Sequence, residues 1–443
     1  MRLQIGVLAL VLLPSLASAD PQKLTLEQVI AKAVANPKVE MALSDRDVAD
    51  ARIHEAYASA VLPRIKATAY GTISPEIHCE NPECTVTSPK NFAWNFHGLF
   101  GGASVDFTQL LYTFGKASHG LAAARAGVEA FKSLADEAAG DAAVDAARAY
   151  WGLKLARELG AMLDDGIEQV EGAKKGFEER KDVTIEDRQR VAVLLATAKV
   201  QRAEAAQAEA QALAGLRAIT ATPDADIDED ELAAVEKPVP EDKDVQSSAT
   251  KRPQLLAAKS GAIAAGELVN FQNAYYFPDL VLIGSAVISK AQGADDPPSA
   301  YANDPYNRMG LSALLALQWQ FEPWTVKAKK DRLRAEAHKA SAQAALAAIG
   351  ATYDAATASA EARSAKAKVD AADEGEKAAR TWLASVLQNQ AVGTAEAKDL
   401  ADAYIAWFQM KAQWAQAVFQ WNVAVVRLGR ATGEFHAGPA RPR

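Results

Sequence analysis

The residues best placed to do chemistry in this 443-residue chain are Asp399 and Asp402. They follow the break Val392-Gly393-Thr394, which separates two very long helical patterns. Three positions apart, the two carboxylates share one face of the helix that carries them. Gly393 adopts turn conformations that other residues resist, and Thr394 is a good N-cap for the returning helix. A paired-acid face at the tip of a helical hairpin points to a charged constriction rather than a reaction centre. On spacing alone the commoner reading is plainer: acids favour the first turns of a helix through its dipole.

Other candidate groups carry less. Cys79 and Cys84 are the only cysteines, in His78-Cys79-Glu80-Asn81-Pro82-Glu83-Cys84. A small disulfide-closed loop in an oxidising compartment is the economical reading. A metal site there would need more soft ligands than His78 alone supplies. His54, His97, His119, His338 and His436 are scattered, with no two at ligand spacing on one helix. No nucleophile–base pair and no phosphate loop is visible, so we expect no catalytic residue, no metal and no cofactor. The acids Asp224, Asp226, Asp228, Glu229, Asp230 and Glu231 cluster in a Pro-rich stretch, 222–250, that reads as a solvated linker or a short helical decoration. A formal net charge of −8 makes the chain a poor candidate for nucleic-acid binding.

The elements that must position these residues begin after an export signal. Arg2, an apolar run from Leu3 to Leu13 and the small-residue pattern Ala17-Ser18-Ala19 read as a signal peptide over 1–19. No later apolar run is long enough for a membrane helix, so any membrane role must come through strands. Thr25 and Gln28 have capping-box spacing and open a helix that Asn36-Pro37 interrupts. After Leu62-Pro63 the period changes to two: Ile65, Ala67, Ala69 and Ile73 fall opposite Lys66, Thr68, Tyr70 and Thr72. The alternation predicts a strand over about 64–74. A second follows over about 92–113, beginning Phe92, Trp94, Phe96 and closing on Tyr112 and Phe114. Aromatic residues at strand ends fit a lipid-facing barrel and fit an ordinary sheet edge equally well. A proline-free helical pattern then runs from Lys116 to about Arg180, on the order of 100 Å at 1.5 Å per residue. Its return begins near Val183-Thr184 and ends near Thr220.

The sequence then starts again. Arg252-Pro253 corresponds to Asn36-Pro37, and Phe277-Pro278 to Leu62-Pro63. Strands are predicted over about 280–289 and 311–321, with Ala313, Leu315, Leu317, Trp319 and Phe321 on one side. A second long helix covers about 326–387, followed by the Gly393 tip and a return helix. Asp187 to Thr220 and Asp399 to Thr432 are both 33 residues. This is a tandem duplication, 20–240 and 241–433, with a tail at 434–443 that reads as disordered.

In order and spacing these motifs resemble the outer-membrane efflux protein (TolC-like) family. The resemblance rests on Leu24-Thr25-Leu26, Asn36-Pro37, Arg252-Pro253 and Val392-Gly393-Thr394 with Asp399 and Asp402. It implies a mainly α fold with a β-barrel portion: two long helical hairpins and four membrane strands per chain. Three chains would then share a 12-stranded barrel and a periplasmic α-helical tunnel. It further implies an outer-membrane exit duct that works with a periplasmic adaptor and an inner-membrane pump, in contact with outer-membrane lipid. Asp399, Asp402 and Asp187 would line the tunnel mouth, while Gly393, Thr394, Val183 and Thr184 would form tip turns that meet the adaptor. The chain departs from the family pattern at Gln390, where a tyrosine can stand, and at Ala395, where an arginine is expected, so Asp187 lacks its usual charged match. A periplasmic coiled-coil scaffold is the alternative; it explains the helices but leaves the strands without a purpose.

Overall fold

The structure is a computed structural model that describes residues 22–75, 96–179, 184–228, 231–294, 306–392, 394 and 396–438. Residues 1–19, expected to be a signal peptide, and Cys79, Cys84, Val183 and Gly393 lie outside these residues. In chain order the elements are β1 (Gln22–Leu24), α1 (Leu26–Val34), α2 (Pro37–Val61), β2 (Arg64–Pro75), β3 (Phe96–Tyr112), α3 (Lys116–Glu179) and α4 (Ile185–Thr220). They continue with β4 (Ala225–Ile227), α5 (Asp242–Ala249), α6 (Pro253–Asn273), β5 (Asp279–Ala291), β6 (Arg308–Gln318), α7 (Pro323–Ala391) and α8 (Ala397–Thr432). The molecule is mainly helical with one larger sheet.

Two compact units cut across the duplication. One holds the described parts of Met1–Ala42, Ala135–Pro253 and Gly350–Arg441; the other holds Leu43–Leu134 and Gln254–Ile349. Each therefore takes chain from both repeats.

The two return helices match each other closely. α4 and α8 are both 36 residues long and both end on a left-handed residue, Ala221 (φ 49°) and Gly433 (φ 76°). Each end closes in the same way: Thr222 N–H donates to the Arg217 carbonyl, and Glu434 N–H to that of Gly429. Gly433 adopts this conformation freely, whereas the Cβ of Ala221 costs about 1 kcal/mol there.

In the first unit the N-terminal capping box forms as expected. Gln28 N–H donates to Thr25 Oγ1 and Thr25 N–H to Gln28 Oε1. Asn36 does more than interrupt a helix: its side-chain amide donates to the Ala218 and Ile219 carbonyls at the end of α4. These are carbonyls that a helix end leaves without intrahelical partners. The parallel pair β1–β4, unforeseen in the sequence, closes this corner.

The stretch 222–250 is less solvated than its composition implies. Asp224 and Glu231 are exposed, but Asp226 pairs with Arg157 at 2.7 Å and Asp228 with Lys154 at 2.7 Å. Tyr150 also donates its hydroxyl to Asp228 at 2.9 Å. Burial opposes the Arg157 charge, yet its bonds to Glu209 and Asp226 hold the pKa above the ordinary value. The tail is likewise tied down in part, since Ala437 N–H donates to Asp136.

In the second unit β2, β3, β5 and β6 form an antiparallel sheet in that order, so β2 and β6 are its two edges. β6 stops at Gln318, before the expected Phe321, because Pro323 starts α7 and takes the chain out of the ladder. The residues 92–95 of the expected second strand lie outside those described.

Candidate functional site

Two features stand out, one in each unit, and in each the packing of apolar side chains decides which residues are left exposed.

At the start of α8, Leu400, Ala401, Ala403 and Tyr404 are buried in a core shared with Met162, Leu163 and Val170 of α3, Val191, Leu194 and Leu195 of α4, and Leu383 and Val386 of α7. Four helices converge there, and their apolar faces fix the rotation of α8. With 401, 403 and 404 turned inward, Asp399 and Asp402 are left exposed. Neither carboxylate has a hydrogen-bond or ion-pair partner among the described residues. Asp187 differs. It stands at the third position of α4, as Asp399 does in α8, but its carboxylate accepts the Thr184 hydroxyl at 2.6 Å. Its own N–H donates back to Thr184 Oγ1, so Thr184 is the N-cap and Asp187 completes the cap.

Thr394 takes a role the sequence did not indicate. The N-cap of α8 is Glu396, whose side chain makes no cap bond. Thr394 instead closes α7: its N–H and its hydroxyl both donate to the Asn389 carbonyl, at 2.9 and 3.0 Å. It staples the end of one helix rather than opening the next.

A seam between α3 and α8 is the feature that sequence reasoning missed. Tyr404 donates to Gln169 Oε1 at 3.0 Å, and Lys411 pairs with Glu158 at 2.7 Å with both side chains mostly buried. Burial pushes the Tyr404 phenol up to about 12, so it stays a neutral donor throughout the physiological range. Between these links Phe408 lies over Gly166, where an added Cβ would meet the ring at 2.2 Å. Gly375 of α7 receives Met410 in the same way, at 2.1 Å. An isolated glycine inside a long helical pattern was the available signal.

The sheet presents two chemically distinct faces, fixed by its register. One carries Ile65, Ala67, Ala69, Gly71 and Ile73 of β2 against Phe107, Val105, Ala103, Gly101 and Leu99 of β3. On the same face β5 offers Leu280, Leu282, Gly284, Ala286 and Ile288, opposite Leu317, Leu315, Ala313, Leu311 and Met309 of β6. Those twenty positions are apolar; the same face also carries Gln109, beside Leu282, and Lys290, beside Gly101. Met309 and Leu311 are nearly fully exposed, at 89% and 88%. The other face is mixed: Arg64, Lys66, Thr68, Ser104, Asp106, Thr108, Ser285, Ser289, Arg308 and Ser312 stand there beside Val281, Ile283, Val287, Leu314 and Ala316. Where β3 and β6 finish and β5 begins, aromatic side chains gather. Tyr112 packs on Phe114, Phe114 stacks on Phe277, and Trp319 packs on Phe321. The corresponding aromatics at the far end, Phe92 and Trp94, lie outside the described residues.

No helix among the described residues is long and apolar enough to cross a membrane. A largely apolar sheet face with aromatics at its rim suits contact with lipid.

Comparison with known proteins agrees with the resemblance read from the motifs. Residues 245–434 match the family of outer membrane efflux proteins. No curated relative matches the sequence. Among solved structures, the chain is similar to the CmeC outer membrane channel of Campylobacter jejuni (14% identity, TM-score 0.76, covering 99% of this chain and 95% of that one). It is also similar to the open state of the MtrE outer membrane channel of Neisseria gonorrhoeae (19%, 0.74, 92% and 88%). A third similar structure is the outer membrane protein VceC of Vibrio cholerae (16%, 0.73, 92% and 96%). At these identities the structures establish the fold over nearly the whole chain, first repeat included. The family and the neighbours are channel proteins, not enzymes.

Proposed function

We propose that this protein is the outer-membrane exit duct of a tripartite efflux system, assembled as a homotrimer. The observation that carries the reading is the four-stranded sheet: one face apolar over twenty paired positions, and two edges, β2 and β6, with no partner strand among the described residues. Unpaired strand edges cannot stand in hydrocarbon, and four strands are too few to close on themselves. Three copies joined β6 to β2 make twelve strands, remove every edge and turn each apolar face to lipid. The long hairpins α3–α4 and α7–α8 would then wall a periplasmic tunnel, met by an adaptor and supplied by an inner-membrane pump. Transport through the duct is passive, and its energy comes from the pump.

Size-exclusion chromatography with light scattering on protein extracted in detergent from outer membranes tests this. A trimer is expected. A soluble periplasmic monomer or dimer would sink the duct and leave the coiled-coil scaffold.

In this reading Asp399 and Asp402 line the tunnel mouth, and three copies bring six uncommitted carboxylates together. The cap bond of Asp187 leaves it a supporting role. Gly393, Thr394, Val183 and Thr184 form the tips offered to the adaptor. Replacing both acids by asparagine should raise the concentration of a trivalent cobalt hexaammine ion needed for half-block by about tenfold. An unchanged half-block would take these acids out of the gate.

A further inference from the structure

We infer that the inner wall of the barrel is an anion-favouring surface, so that the exit favours anionic cargo. The inference rests on the duct reading, which makes the polar face of the sheet the lumen wall. Three cations stand on that face: Arg64 and Lys66 of β2 and Arg308 of β6. All three are exposed, and none has a carboxylate partner among the described residues.

The opposing acids are already engaged. Asp106, the register partner of Lys66, is half-buried and accepts the Ser285 hydroxyl at 2.9 Å. Asp279, at the start of β5, is paired with Lys116 at 2.8 Å. The remaining polar positions are serines, threonines, Tyr70 and Gln318, which hydrate either sign of ion without preference.

Per copy the exposed cations outnumber the free acids, and three copies multiply the imbalance around one water-filled space. Rings of like charge set the preference of a pore. The sign is opposite to that of Asp399 and Asp402, so mouth and exit would select differently. Range decides where the effect is visible: the field reaches roughly 30 Å at 0.01 M salt and only about 3 Å at 1 M.

The test uses the full-length trimer in planar bilayers of neutral lipid, with inorganic tripolyphosphate added on the barrel side. At about 0.01 M salt, the triple variant R64Q/K66Q/R308Q should need roughly threefold more tripolyphosphate for half-block than wild type. Asp106→Asn, which removes an acid and keeps an acceptor for Ser285, should need less. Both differences should fade at about 1 M salt. Equal half-block for wild type, the triple variant and D106N at low salt would overturn the inference, while cobalt hexaammine block at the tip shows that the duct itself still conducts. Absence of any conductance from wild-type protein would overturn the duct reading and this inference with it.

Discussion

Arginine at Ala313 is expected to abolish the proposed trimer assembly in the outer membrane, whereas arginine at the adjacent Ser312 should leave it intact. Both residues lie at the centre of β6, which runs from Arg308 to Gln318. Their register partners decide the difference. Ala313 pairs with Gly284 on the face that carries Leu311, Leu315 and Leu317, while Ser312 pairs with Ser285 on the face that carries Asp106. A strand of about ten residues spans the hydrocarbon, so its centre sits near the midplane. An arginine on the lipid face at that depth costs about 2–4 kcal/mol, and a trimer carries it three times. A total of about 6–12 kcal/mol equals the whole stability of a typical domain, on the order of 5–15 kcal/mol. The same side chain at Ser312 would face water, on the face that carries Asp106 one strand beyond Ser285. The fraction of detergent-extracted protein that elutes as trimer measures both variants. If A313R assembles as well as S312R, the two faces have been assigned the wrong way round.

That prediction uses a pattern already legible in the sequence, because side chains along a strand alternate faces whatever they pair with. Ile65, Ala67, Ala69 and Ile73, and later Leu311, Leu315 and Leu317, could therefore be placed before any register was known. The equal lengths of α4 and α8 were legible for a similar reason: duplication copies local spacing. Contacts between distant segments left no such trace. Nothing about Phe408 or Met410 says that it lies over Gly166 or Gly375, since the knob and its hole are far apart in sequence. The acids of 222–250 looked alike, yet Asp226 and Asp228 found cations on α3 while Asp224 and Glu231 did not. Thr394 failed as an N-cap because two further residues intervene before α8 begins, which leaves its hydroxyl to close α7 instead. Arg252 was read only as a repeat marker; its burial came from the fold.

Arg252 also supports the second large effect. Its side chain is 2% exposed and pairs with Asp354 and, at 3.4 Å, with Glu137. Burial opposes its charge, but the bond to Asp354 and the field of Glu137 outweigh that and hold the guanidinium pKa above its ordinary value. Glu137, 13% exposed, is shared with Arg430 at 2.7 Å, and Arg430 in turn reaches Asp141 at 2.6 Å.

The two partners should therefore be unequal under substitution. Glu137→Ala leaves Arg252 buried with only the half-exposed Asp354 to answer it, and breaking a buried pair in this way costs about 3–5 kcal/mol. Arg252→Met removes the buried charge itself. Its unbranched side chain keeps much of the arginine stem's packing, Glu137 retains Arg430, and Asp354 can turn to water. That loss should stay below about 2 kcal/mol. Adding R252M to E137A should then recover stability, because it deletes the charge that E137A stranded. Thermal unfolding of the three purified variants beside wild type gives the order: R252M nearest wild type, the double variant next, E137A lowest. A double variant that melts below E137A would mean that Arg252 acts through its packing, and the stranded-charge account would fail.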